Sequence, residues 1–374
     1  MINPRVSDFN KDGFVDLVVG DEDGRVAYLK NTGKVSDTMP VYESPVYFRQ
    51  KADNVKFGAL ATPVAVDWNN DSKVDIISGN SSGEIAFIEN LTGGMNPSWA
   101  EPVLFKADGE VIRVQAGSNG SIQGPAEAKW GYTVLDVADW DGDGLKDLIV
   151  NSIWGKVEWY RNVGADDGLS FAQAQPVKVA WGGDAPKPEW NWWTPEKGTL
   201  VTQWRTSPMV TDWNSDGLPD LIMLDHEGYL AYFERFVDEN GEKILKPGKR
   251  MFECVNGSVF RYGKGMTDKT PGILRMNDRQ AGASGRRKLC MCDWDNDGRV
   301  DLIVDSRTAA WFRNVGESQD GTVKLEYMGE LSSTRLEGHT TCPTAVDWVN
   351  DGKHDLLVGG EDGRFYLVRN IIFG

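Results

Sequence analysis

One nine-residue pattern occurs six times in this 374-residue chain. It reads Asp, an aromatic, Asp or Asn, any residue, Asp, usually Gly, two further residues, Asp. The copies begin at Asp8, Asp67, Asp139, Asp212, Asp293 and Asp347, at intervals of 59, 72, 73, 81 and 54 residues. Self-similarity at this spacing means an array of supersecondary units, and it constrains the fold before any local feature does.

Each copy sits in a longer cassette. A short apolar segment precedes it, such as 62–66, and Leu-Ile-Val or a close variant follows its last Asp. A Gly-containing turn comes next, as at 21–24 and 81–83. A third apolar segment then ends in Asn or Arg: VAYLKN, IAFIEN, VEWYRN, LAYFER, AAWFRN, FYLVRN. A weaker fourth strand follows, as at 45–48 and 102–105. β-Branched and aromatic residues between Gly, Asn and Asp turns predict strands. Four antiparallel strands per unit, repeated radially, predict an all-β fold, a β-propeller. A linear stack is the competitor, and aromatic-rich units of over fifty residues favour blades. The expectation is one domain over 1–374, with blades starting near 1, 60, 131, 205, 286 and 340. Six blades come first and seven second, the seventh hidden in 236–284 around 251–254 and 258–261. The chain begins inside a cassette and ends just after a third strand. That predicts either a three-stranded last blade or an extension or further domain before Met1.

Oxygen ligands at positions 1, 3, 5 and 9 of a tight loop suit a hard cation. Calcium takes six to eight oxygens at about 2.3–2.6 Å. The expected ligands are Asp8, Asn10, Asp12 and Asp16; Asp67, Asn69, Asp71 and Asp75; Asp139, Asp141, Asp143 and Asp147; Asp212, Asn214, Asp216 and Asp220; Asp293, Asp295, Asp297 and Asp301; and Asp347, Asp351 and Asp355. Gly at position 6 permits the sharp bend. Position 12 is apolar (Val19, Val150, Val304), where an EF-hand needs a bidentate Glu, and the flanks are strands. The bland alternative is Asx-turn capping without metal. The second loop has Ser72 in place of Gly. The sixth has Val349 at position 3, which cannot ligate, and is the doubtful site.

These cassettes resemble the FG-GAP/VCBS-type calcium-binding propeller repeat, the blade of integrin α-subunit heads and of many secreted bacterial proteins. The resemblance covers nearly the whole chain, although the literal Phe-Gly…Gly-Ala-Pro signature is absent. It implies structural calcium in the loops. Calcium is plentiful outside the cytoplasm, which predicts a secreted, periplasmic or cell-surface protein. A WD40 blade is rejected, because the dipeptide is Asp-Trp and its loop is acidic.

Forty per cent hydrophobic residues and 15 Trp exclude a disordered chain. With 56 acidic against 40 basic residues the net charge is −16, which excludes a nucleic-acid partner. No apolar window reaches the length of a membrane span. The loops hold 20 of the carboxylates, so the acidity is mainly a ligand inventory. Five calcium ions would cancel ten of the excess charges. Cys254, Cys290, Cys292 and Cys342 read as small buried thiols.

The aromatic at position 2 and a bulky residue in the third strand (Tyr28, Phe87, Trp159, Tyr232, Trp311, then Leu367) recur, so they read as inter-blade packing. Trp99, Trp130, Trp154, Trp181, Trp190, Trp192, Trp193 and Trp204 do not recur. Most lie in two long segments, 106–132 and 181–207, and long loops in compact folds are often functional. The calcium loops join strands 1 and 2 at one face. The lead-ins to strand 1 and the turns between strands 2 and 3 therefore converge at the other. They carry Trp130, Tyr132, Trp204, Arg205, Arg286, Arg287 and His339, with Trp154, His226 and Arg307 in the turns. Aromatic planes beside Arg and His suit an acidic sugar. Substrate binding is expected at Trp130, Trp154, Trp192, Trp193, Trp204 and Arg307.

Two function classes remain open. In a polysaccharide lyase, as in the rhamnogalacturonan lyases that such propellers resemble, His339, His226 or Tyr132 is the base. Arg205, Arg286, Arg287 or Arg307 neutralises the developing charge. A glycoside hydrolase, the second enzymatic choice, would use two of Asp225, Glu227, Asp305, Glu361 and Asp362. The other class is a non-catalytic glycan- or protein-binding propeller with the same face.

Overall fold

The computed structural model describes residues 3–20, 26–48, 55–118, 120–121, 124–164, 168–189, 191–278, 285–336 and 340–370. The expected turn at 21–24, Trp190 and His339 lie outside them. The chain is all-β, and each cassette forms an antiparallel meander. In the second, Thr62–Val66, Asp75–Gly79, Ile85–Ile88 and Val103–Leu104 pair in that order. No helix among the described residues is long and apolar enough to cross a membrane.

The sequence of the middle strand explains its place. Asp75–Gly79, Asp147–Asn151, Asp220–Leu224, Asp301–Asp305 and Asp355–Gly359 are buried at every position. Each blade presses both of its faces against neighbours, so the run is apolar on consecutive residues rather than alternate ones. Five cores fill the gaps between blades. Trp68 and Ile77 meet Leu135 and Leu148. Trp140 and Ile149 meet Leu221 and Met223. Ile222 and Leu224 meet Leu289 and Leu302. Cys290 and Ile303 meet Leu356 and Val358. Trp348 and Leu357 meet Ile76 and Ile88.

That last core closes a circle. The inner strands Thr62–Val66, Val134–Ala138, Met209–Thr211, Leu289–Cys292 and Cys342–Val346 touch in this order, and the last touches the first. Residues ahead of the second cassette staple the junction. The amides of Phe57, Leu60 and Ala61 donate to the carbonyls of Gly363, Glu361 and Gly360 at 2.9, 3.0 and 3.1 Å. The ring thus runs through the second to sixth cassettes. The first cassette folds as a blade, with Asn3–Ser7, Asp16–Gly20, Val26–Leu29 and Val46–Tyr47 paired, but contributes to none of the five cores.

Among its described residues, the segment 236–284 supplies no separate blade. Phe252–Cys254 runs parallel to Val323–Glu330 and extends the sheet of the fifth cassette. The sixth sheet has three strands among the described residues. All four cysteines are buried, free thiols.

Candidate functional site

The six acidic loops share one backbone. Position 4 is left-handed in all of them, at Lys11, Asn70, Gly142, Ser215, Asn296 and Asn350, and so is position 6. Position 6 is Gly in five loops, and Ser72 adopts φ 66° in the other. The bend lets the first Asp accept two amides. Asp8 takes those of Asp12 and Gly13 at 3.0 Å each, and Asp293 takes those of Asp297 and Gly298 at 3.0 and 2.8 Å. The fifth-position Asp accepts the amide of position 7 in every loop. Carboxylates aimed in this way gather oxygens. Asp139, Asp141 and Asp147 bring one oxygen each within 4.8 Å of one another, and so do Asp293, Asp295 and Asp297.

The ninth-position Asp is buried in all six loops. Asp147 accepts from the Trp140 amide, the Trp159 indole and the Asn162 amide at 3.1, 3.0 and 2.7 Å. The recurrent bulky residue of strand 3 is therefore more than packing. Trp159, Tyr232 and Trp311, like Tyr28, point a polar tip at this carboxylate. Burial pushes Asp75, Asp147 and Asp220 upward, and Asp301 to about 6. A bound cation would offset that desolvation. An all-oxygen donor set of this kind fits calcium.

The opposite face holds a cavity of about 250 Å³ on the ring axis. Its rim has one origin in sequence. Seven residues before the first loop aspartate stand Leu60, Tyr132, Arg205, Arg286 and Thr340, one per ring blade, and all five line the cavity. Leu60, Tyr132, Arg205 and Arg286 have φ of 53°, 48°, 61° and 67°. Left-handed backbone costs a non-glycine residue roughly 1–2 kcal/mol. Strain recurring at one register around a cavity marks a built site.

The cavity is electropositive. Arg205, Arg286 and Lys288 line it against Glu127 and Glu361. Arg205 is 5% exposed, bonds Glu127 at 2.9 Å, and lies 3.3 Å over the Tyr132 ring and 4.2 Å over Trp204. Burial lowers its guanidinium to about 10. Lys288 donates to the Arg205 carbonyl at 2.8 Å, and burial brings its ammonium down to about 8. Trp130 stacks on Tyr132 with centroids 5.1 Å apart.

Of the residues expected at this face, Trp130, Tyr132, Arg205 and Arg286 meet in the cavity. Trp204 does not serve as a sugar platform. It is fully buried beneath the two arginines, so a ligand has no face of it to stack on. Arg287 is also buried, pairing with Asp305 at 3.3 Å. Trp154, Trp192 and Trp193 pack on one another beside Trp204, and the Trp193 indole donates to the Trp154 carbonyl at 2.7 Å. His226 and the exposed Arg307 stand outside the cavity lining. The hydrolase carboxylates are mostly engaged elsewhere. Arg250 holds Asp225 and Glu227, Asp305 is buried, and Asp362 bonds Arg364 and Tyr366. Glu361 alone of that set lines the cavity. Sequence reasoning missed Leu60 and Glu127, and placed Thr340 at this face without giving it a role. Counting back from each loop aspartate finds Leu60 and singles out Thr340. Glu127 ends the short helix Pro125–Glu127 in an insertion with no repeat register.

Residues 293–358 match the family model of the FG-GAP-like repeat, so this stretch is an FG-GAP-like repeat. No curated protein matches the chain. Among solved structures, a crystal structure of BBS1N in complex with ARL6DN, soaked with mercury, is similar at 12% identity and a TM-score of 0.32, over 98% of this chain and 91% of that one.

Proposed function

We propose that this propeller is stabilised by calcium in an extracytoplasmic setting and binds an acidic glycan in the axial cavity, opposite its calcium loops. One observation carries the reading: strained rim positions bring Arg205 and Arg286 beside Lys288 and the Trp130–Tyr132 pair. Guanidinium groups fork a carboxylate, and an aromatic plane takes the CH-rich face of a sugar. The volume suits one sugar unit of a chain. Calcium loops at the far face hold the lead-ins in place without touching the ligand.

Polygalacturonate and a neutral glucan, compared by affinity electrophoresis, test this. The acidic polymer held in the gel retards the protein and the neutral one does not, and Arg286→Ala weakens retardation tenfold or more. Equal retardation of the protein by both polymers overturns the reading. Lys288 adds a pH signature. A lysine whose folded value is lowered to about 8 carries its charge only below that, so retention falls as pH rises through 8.

A lyase is the second reading, favoured by Tyr132 and Lys288 sharing the cavity with Arg286. A base there takes the proton alpha to the uronate carboxylate. The electron pair forms the ring double bond, and the glycosidic oxygen leaves. Arg286 would stabilise the intermediate charge. Release of ultraviolet-absorbing unsaturated uronate, lost in Tyr132→Phe or Lys288→Met, separates this reading from simple binding.

A further inference from the structure

The six loops differ at one position that the nine-residue pattern does not contain. The residue just before the Asn or Arg ending strand 3 is Lys30, Glu89, Arg161, Glu234, Arg313 or Arg369. The meander folds this residue back over its own loop. Arg161 bonds Asp141 at 2.6 Å and Asp143 at 2.9 Å. Arg313 bonds Asp295 at 2.6 Å and Asp297 at 3.1 Å. Glu89 instead accepts from the Asn69 amide at 3.4 Å.

In the second to fifth loops the identity of this residue tracks loop position 3, whereas the first pairs Asn10 with Lys30 and the sixth Val349 with Arg369. Where position 3 is Asp, in the third and fifth loops, the overlying residue is Arg. Where it is Asn in the second and fourth loops, the overlying residue is Glu. The third and fifth loops thus carry four carboxylates with a guanidinium bridging two of them. The second and fourth carry three; Glu89 lies against Asn69 of the second, while Glu234 beside the fourth pairs with Lys246 at 2.6 Å. A cation entering the third or fifth loop competes with a tethered positive charge for the same oxygens. A cation entering the second or fourth loop meets no such guanidinium bridge among the described residues, only the single ammonium of Lys73 on Asp71 in the second.

We propose that this overlying residue sets the calcium affinity of each loop, so that the second and fourth loops fill before the third and fifth. The inference rests on the loops being calcium sites. Arg161 and Arg313 also hold their loops closed before an ion arrives, as charge-assisted bidentate pairs do. Both side chains are more than one-third exposed, so replacing them leaves the cores intact.

Titration of the full chain with calcium chloride, followed by calorimetry, tests the inference. The wild type shows a tight and a weak class of sites. Arg161→Gln with Arg313→Gln strengthens the weak class about three- to tenfold, the size expected from two exposed ion pairs. Arg161→Lys, which keeps the charge and loses the bridge, falls between. Glu89→Gln with Glu234→Gln weakens the tight class by a similar factor. Isotherms unmoved by both double variants overturn this inference and leave calcium binding standing. A wild type that binds no calcium overturns the calcium reading and this inference together.

Discussion

The first cassette and the second to fifth carry the same loop and the same two backbone hydrogen bonds to the ninth aspartate, yet these aspartates are driven in opposite directions. Asp16 accepts from the Phe9 amide, the Tyr28 hydroxyl and the Asn31 amide at 3.1, 3.0 and 2.8 Å. Asp220 accepts from Trp213, Tyr232 and Arg235 at 3.1, 2.9 and 2.6 Å. At Asp16 desolvation is the largest influence, but the hydrogen bonds together outweigh it and the carboxyl is held low. At Asp220 desolvation prevails and the carboxyl is raised. The difference lies in what surrounds the sheet. The middle strand Asp16–Gly20 is buried only at Asp16, whereas Asp220–Leu224 is buried throughout. A repeat therefore specifies a blade and its loop, while neighbouring blades decide how strongly that loop needs a cation.

Chelation gives the largest break in this comparison. Each filled loop adds about 2.7 kcal/mol of stability at free calcium 100-fold above its Kd. Several such loops sit in the ring, beneath aspartates that burial destabilises. Excess chelator should therefore lower the main melting temperature by more than about 10 °C. An unchanged transition by calorimetry would show that Asx-turn bonds alone hold these loops.

A position-2 aromatic gives the next contrast. Trp294 is 2% exposed and packs between the fifth and sixth blades, while its counterpart Phe9 is 54% exposed. Trp294→Ala should cost about 3–5 kcal/mol in chemical denaturation. Phe9→Ala, which removes few contacts, should cost less than about 1 kcal/mol. Comparable losses would mean that the first cassette is packed in solution as tightly as the ring.

Much of this was legible in sequence. Counting from the loop aspartates placed every middle strand, and the alternation of loop and turn placed the two faces. What was not legible depends on partners remote in the chain. Trp204 carries no repeat register and looks like a ligand platform, but two arginines and the Trp154 cluster cover it. Closure between the second and sixth cassettes rests on 57–61 binding the turn at 360–363, a pairing that no local pattern announces. Glu127 reaches Arg205 from 78 residues away.

The smallest effect tests the comparison at a single backbone angle. Ser72 holds φ 66° where five loops have Gly, and Gly13 holds φ 88° in the first cassette. Ser72→Gly removes the clash of a Cβ in left-handed backbone, a gain of roughly 1 kcal/mol, less what the added freedom of the unfolded chain takes back. The second loop lies in a ring blade bounded by two cores, so this gain should raise the main transition by 1–2 °C or less. Gly13→Ser imposes the same strain on the first cassette. Among the described residues no core couples that cassette to the ring, so the main transition should stay where it is, while protection of the first-cassette amides from hydrogen exchange falls. A main transition lowered equally by Gly13→Ser would show that the first blade shares its stability with the ring.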